Sequence, residues 1–133
     1  MITETTPILE AITKALDLIE DTMEHDGGTY FATTLERAKL STGYMVASKR
    51  GAAEFTLGQF DSLDVILTIG KIGAIIQSQP DRNTWYIGTW IHMGQLYIEP
   101  AKHVAIWSDA LRMAQAEQQI SIYNNRTEEA LML

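Results

Sequence analysis

The chain has 133 residues, 46% of them hydrophobic and 20% charged, with 10 basic and 17 acidic side chains and a formal charge of −7. That is one domain's length with enough apolar material for a core, so a mainly disordered chain is excluded, and the absence of cysteine excludes disulfides, thiolate metal sites and cysteine nucleophiles. The acid surplus is local: residues 1–26 hold seven acids against Lys14 alone, whereas residues 27–126 hold eight acids and nine bases, which disfavours broad polyphosphate binding but not a small anionic ligand in the central region.

The first element is an amphipathic helix. Thr5 or Thr6 can cap it and Pro7 suits its first turn. Ile8, Ile12, Leu16, Ile19 and Met23 recur at helical spacing, widened by Leu9, Ala11 and Ala15, and the other side is almost purely acidic. Gly27-Gly28 ends it. Thr29–Thr34 and Thr42–Ser48 read as strands, with a connection through Arg37 and Lys39 between them. Lys49-Arg50-Gly51 is a basic turn, and Glu54–Leu57 a third, short strand. A second helix starts near Asp61 or Ser62 and runs through Leu63, Ile66, Leu67, Ile69 and Ile72 until Pro80-Asp81 closes the region.

Thr84–Trp90 is strand-like and pairs with Leu96–Ile98 across Met93-Gly94, where a tight turn puts a glycine at positive φ. Ser108 caps a third helix that carries Asp109 in its first turn, then Leu111, Ala114 and Gln118. Ile120–Tyr123 alternates as a last strand, followed by a polar tail. The expected fold is α+β: a small, mainly antiparallel sheet with two packed helices, preceded by the long N-terminal helix. The corresponding division is a helix for anchoring or oligomerisation in residues 1–27, a ligand-binding domain in 28–124 and a polar C-terminal tail in 125–133.

Motif by motif, enzymes drop out. His25, His92 and His103 share no ligand spacing, so no metal site is expected. GxSxG and a phosphate-binding glycine loop ending in Gly-Lys-Ser/Thr are both absent. The clustered acids read as the solvated side of the first helix, which leaves no catalytic residues and no cofactor to name. The longest apolar-leaning stretch, Val65 to Ile76, is broken by Thr68, Gly70, Lys71 and Gly73, short of the ~20 residues a membrane span needs. With no export signal recognisable either, the expected place is the cytoplasm, that of the host cell if the protein is viral.

Ile69-Gly70-Lys71-Ile72-Gly73-Ala74-Ile75-Ile76 resembles the Ile-Gly-x-x-Gly-x-x-Ile core of KH domains, in which backbone between the glycines approaches phosphates. The alternative is that both glycines lie on one helix side and let a neighbour pack closely. A second set of motifs lies further on: Trp90-x-x-x-Gly94-x-x-Tyr97, Ala110-x-x-x-Ala114 and Gln119-x-Ser121-Ile122-Tyr123, with Tyr44-x-Val46 before them. Together they resemble the Thoeris anti-defence sponge family of phage proteins, over roughly residues 28–124. The resemblance implies a non-enzymatic protein that sequesters cyclic ADP-ribose isomers, with cyclic oligonucleotides also implicated. It further implies a dimer or higher homo-oligomer with sites between subunits, aromatic and asparagine side chains on the base, and arginines on the phosphates. This chain departs from that pattern at His92-Met93-Gly94, where an asparagine is expected. Its third helix offers only Arg112, which leaves Lys49, Arg50 or Arg82 to supply further positive charge.

The residue chemistry agrees with a nucleotide ligand independently of any family. Two phosphates call for charge-assisted donors, and the arginine fork meets two oxygens at once, making Arg50, Arg82 and Arg112 the candidates. A base calls for a flat apolar surface, offered by Phe31, Trp85 or Trp90, with His92 and Met93 at the adjoining turn; stacking contributes roughly 1–3 kcal/mol per base. Each ring also suits core packing, and each guanidinium a solvated surface. The expected ligand-binding set is Phe31, Arg50, Arg82, Trp90, His92, Met93 and Arg112. Two other functions compete: a KH-like RNA-binding module around Gly70–Gly73, and a structural or interaction protein of a phage.

Overall fold

A computed structural model describes residues 5–133, with side chains from Pro7 onward, so the caps expected at Thr5 and Thr6 lie outside what is described. The elements are α1 (Thr5–His25), β1 (Gly27–Tyr30), β2 (Tyr44–Ala47), β3 (Ala53–Thr56), α2 (Ser62–Gln77), β4 (Trp85–His92), β5 (Gln95–Val104), α3 (Trp107–Ala116), β6 (Ser121–Asn124) and β7 (Glu129–Met132). The fold is α+β, and the sheet is larger than expected. Seven antiparallel strands in the order β1-β4-β5-β2-β6-β7, with β3 also on β5, curl into a half-barrel.

The curl has a local cause. β2 and β3 lie end to end along the same edge of β5, one pairing with Ala101–Val104 and the other with Gln95–Ile98. Residues 48–52 therefore stand opposite Glu99 and Pro100 alone, a bulge that bends and twists the sheet. Pro100 suits this position. Its carbonyl accepts the Ser48 N–H at 2.8 Å, so its nitrogen, which has no proton to give, faces the bulge where the ladder asks for none.

Strand alternation decides which side each residue serves. Ile87, Leu96 and Ile98 point to one side of the sheet and pack with Ala15 and Leu18 of α1 and with Val65, Ile69, Ile72 and Ile76 of α2. Val46 and Ile122 meet Ala110 and Ala114 of α3 in a second cluster on that same side. The helices thus cover the convex surface, while Gly27, Thr29, Gly88, Trp90, Glu99, Ala101, Met45 and Tyr123 face the concave one.

Several local expectations need correction. The inward side of α1 is Ala15, Leu18, Ile19 and Thr22, whereas Ile8, Leu9, Leu16 and Met23 are exposed, so the helix is rotated from the side its larger apolar residues suggest. Gly27-Gly28 opens β1 rather than ending the helix; the turn is made by Asp26 at φ 61°. β1 stops at Tyr30, and Thr34 lies in the loop to β2. Ser108 is not the cap of α3, because that helix already begins at Trp107 and Ile106 occupies the cap position. The segment after Asn124 is no irregular tail: it turns back as β7 and pairs with β6. By contrast, Asp61 does cap α2, accepting the Leu63 N–H at 2.9 Å, and Met93-Gly94 does turn the β4–β5 hairpin.

Candidate functional site

The concave side encloses a hollow of about 870 Å³, within the range of roughly 300–1,000 Å³ common for small-molecule sites. Its floor is made by short side chains: Gly27 of β1, Ala47 of β2, Gly88 of β4 and Ala101 of β5. A Cβ added at Gly88 would stand 3.0 Å from that of Ala101, so the floor has no room for a larger residue there. Trp90 forms one wall, its ring stacked on His92 with centroids 4.5 Å apart and tilted against Tyr97 at 5.9 Å. The loop between β1 and β2 brings Arg37 and Lys39 to the rim, and the β6–β7 turn brings Arg126.

A polar network fixes the mouth. Arg37 donates through Nε to Asp21 Oδ2 at 2.8 Å and through Nη2 to the Gly27 carbonyl at 2.7 Å. The Tyr30 hydroxyl donates to the same Asp21 oxygen at 2.6 Å, and the Thr22 hydroxyl is hydrogen bonded to those of Tyr30 (3.0 Å) and Thr89 (2.8 Å). These bonds tie α1, β1, β4 and the loop together. Burial would raise Asp21, but the Tyr30 and Arg37 bonds outweigh it and hold the carboxyl below its ordinary value. Burial, reinforced by the bond to Asp21, pushes the Tyr30 phenol up to about 12. On the far rim, Asn125 is buried and donates through Nδ2 to the Thr42 carbonyl at 2.9 Å, anchoring the β6–β7 turn to the start of β2.

Arg37 is therefore occupied, whereas Lys39 and Arg126 are exposed and in no ion pair among the described residues. Glu99, on the floor, is half-buried, and burial pushes its carboxyl up to about 7. Rings, a carboxyl and free cations around one hollow suit the holding of a small flat ligand that carries both polar edges and negative charge.

The expected ligand set is only partly gathered here. Trp90 lines the hollow, with His92 against it. Phe31 lies past the end of β1, its ring 5.7 Å from that of Tyr86, and Met93 is 87% exposed at the hairpin tip. Arg50 sits in the bulge and lines a smaller hollow of about 410 Å³ with Trp85 and Glu117. Arg82 is exposed in a single 3-10 turn before β4, and Arg112 lies on the outer side of α3, 3.5 Å from Asp109. Among the described residues, neither hollow is lined by more than one of the three guanidiniums. Lys39, Glu99 and Arg126 were not in the expected set. The alternation Gln95, Tyr97, Glu99, Ala101 against Leu96, Ile98, Pro100 is the sequence signal that would have turned Glu99 away from the core.

Gly70 and Gly73 lie within the unbroken helix α2, so the loop between helices that a KH reading requires is not formed. Among the described residues no helix is long and apolar enough to cross a membrane. No family model, curated protein or solved structure matches this chain.

Proposed function

We propose that the protein is a non-catalytic binding protein that captures a small nucleotide in the concave side of its half-barrel. The observation that carries this reading is the hollow itself: about 870 Å³, walled by Trp90 and rimmed by Lys39 and Arg126, which form no ion pair among the described residues. A base stacks on the Trp90 wall and the phosphates meet Lys39 and Arg126. The described residues bring no nucleophile–base pair to the hollow, which favours holding over converting. Acting in the cytoplasm, such a protein keeps a nucleotide signal from its effector, and cyclic ADP-ribose isomers and cyclic dinucleotides are the first ligands to try.

Assembly into a homo-oligomer belongs to the same proposal. α1 leaves Ile8, Leu9 and Leu16 exposed and α2 leaves Leu63 and Leu67 exposed, apolar surface that a second copy can cover. Pairing of this kind would still leave the concave side open.

Titration calorimetry on the full chain with cyclic ADP-ribose isomers, cyclic dinucleotides and mononucleotides tests capture, followed by release on heating and mass measurement of the ligand. Saturable binding with the ligand recovered intact is the expected result. A chemically altered ligand makes the protein an enzyme; no heat with any nucleotide removes the proposal.

A further inference from the structure

The floor of the hollow holds a polar group that no described residue satisfies. Glu99 points into the concave side from the middle of β5, and its carboxyl has neither a hydrogen bond nor an ion pair among the described residues. Carboxylate oxygens only accept, and those of Glu99 are reached from the hollow rather than sealed inside the protein, so a ligand's donors can meet them there. Room for such a ligand lies above the floor rather than in it, because Gly88, paired with Glu99 across the strand, and Ala101 beside it carry nothing larger than a methyl group. Trp90 pairs with Tyr97 one pleat along the same surface, so the ring and the carboxylate are diagonal neighbours, with Cβ atoms somewhat less than about 7–8 Å apart in such a pair.

Resting on the nucleotide reading above, we propose that Glu99 reads the base of the captured nucleotide and that this base is guanine, which among the ligands named there favours guanine-containing cyclic dinucleotides over the adenine-bearing cyclic ADP-ribose isomers. Guanine carries N1–H and the exocyclic amino group side by side, so its edge offers two donors to the two oxygens of an ionised carboxylate. Adenine and cytosine set one donor beside an acceptor, and uracil sets one between two acceptors; each leaves a carboxylate oxygen facing a lone pair. With the guanine edge on Glu99 and its ring beside Trp90, Lys39 and Arg126 on the rim are left for phosphate.

The pairing is coupled to protons. Other ionisable groups facing the hollow are His25 at the end of α1 and Asp26 after it, Arg37 and Lys39 on the loop, and Arg126 and Glu128 on the β6–β7 turn. Tyr123 faces that side from β6, Tyr97 and His103 share Glu99's side of β5, Glu54 of β3 pairs with Tyr97 there, and β4 adds Tyr86 and His92 on the same side; β2 presents no ionisable group to it. Burial is what raises Glu99. Because guanine needs the ionised form, its affinity rises with pH up to about 7 and levels off above.

The test is titration calorimetry of the full chain with 5′-GMP, 5′-IMP (which lacks the exocyclic amino group) and 5′-AMP at pH 6 and pH 8. The native chain and Glu99→Gln are compared, with thermal melts to confirm the variant's fold. GMP should bind about tenfold more tightly than IMP or AMP. It should also gain about tenfold from pH 6 to pH 8, the change in ionised fraction of a group titrating near 7. Glu99→Gln should lose both the preference and the pH dependence. Equal affinity for the three nucleotides overturns guanine reading and leaves nucleotide capture standing, while no binding of any nucleotide removes both. Tighter binding at pH 6 means the carboxyl acts protonated, which also overturns the guanine assignment. Should Glu99→Gln fail to fold, the nucleotide ratios and the pH profile of the native chain decide alone.

Discussion

Asp21 and Glu99 are carboxyl groups whose surroundings drive them in opposite directions. Asp21 gains the Arg37 guanidinium and the Tyr30 hydroxyl, so the folded chain holds it ionised to lower pH than the unfolded chain does. Its contribution is present above the unfolded value near 4 and is lost as pH falls through the folded one. Asp21→Asn should therefore lower stability at neutral pH by about 1–2 kcal/mol and flatten the loss of stability below pH 4, as measured by urea unfolding. Glu99 is the reverse case. Raised to about 7 in the fold, it favours folding while protonated, and that advantage disappears as pH rises from the ordinary value of 4.5 through 7. Glu99→Gln should stabilise the chain at pH 8 by on the order of 2 kcal/mol, with the gain vanishing near pH 4. Equal gains at both values would mean that the carboxyl is not buried as described. A native residue that costs stability at neutral pH is what a binding site retains.

At the scale of elements, legibility followed the range of the forces. The start of α2 could be read because Asp61 acts on the next turn, and the β4–β5 hairpin because Gly94 has φ 76°. Met93 shares that turn at φ 51°, a conformation disfavoured for its side chain, so Met93→Asn should raise stability by about 1 kcal/mol in thermal or chemical unfolding. What stayed hidden depends on distant partners. β7 is an exposed edge strand whose residues show no buried side, and its return depends on Asn124 Oδ1 accepting the Arg126 and Thr127 N–H groups. The hollow is hidden for the same reason, since no window of sequence shows that Ala47, Gly88 and Ala101 meet on one floor. Trp90 was legible as a ring on a hairpin; Lys39 and Arg126, some 90 residues apart in the chain, were not. Ala47→Leu, which fills that floor, should weaken nucleotide binding at least tenfold in calorimetry and leave the fold intact by circular dichroism.

Taken as one molecule, the N-terminal helix is part of the core rather than an appendage, because Ala15 and Leu18 pack with α2 and the sheet and Thr22 bonds to β1 and β4. Its outer apolar residues, not its removal, are thus the means to test assembly. Leu16→Glu with Leu67→Glu should convert a dimer or larger species to monomer by light scattering without loss of nucleotide binding, whereas a native chain that is already monomeric would contradict the proposed assembly. The central claim concerns the concave side itself. An amide and indole nuclear magnetic resonance titration of the uniformly labelled chain with 5′-GMP tests it most directly. The account predicts saturable shifts at Thr29, Gly88, Ala101 and the Trp90 indole, lining the hollow. Shifts confined to the outer surface around Arg50, Arg82 and Arg112, or none at all, would contradict it.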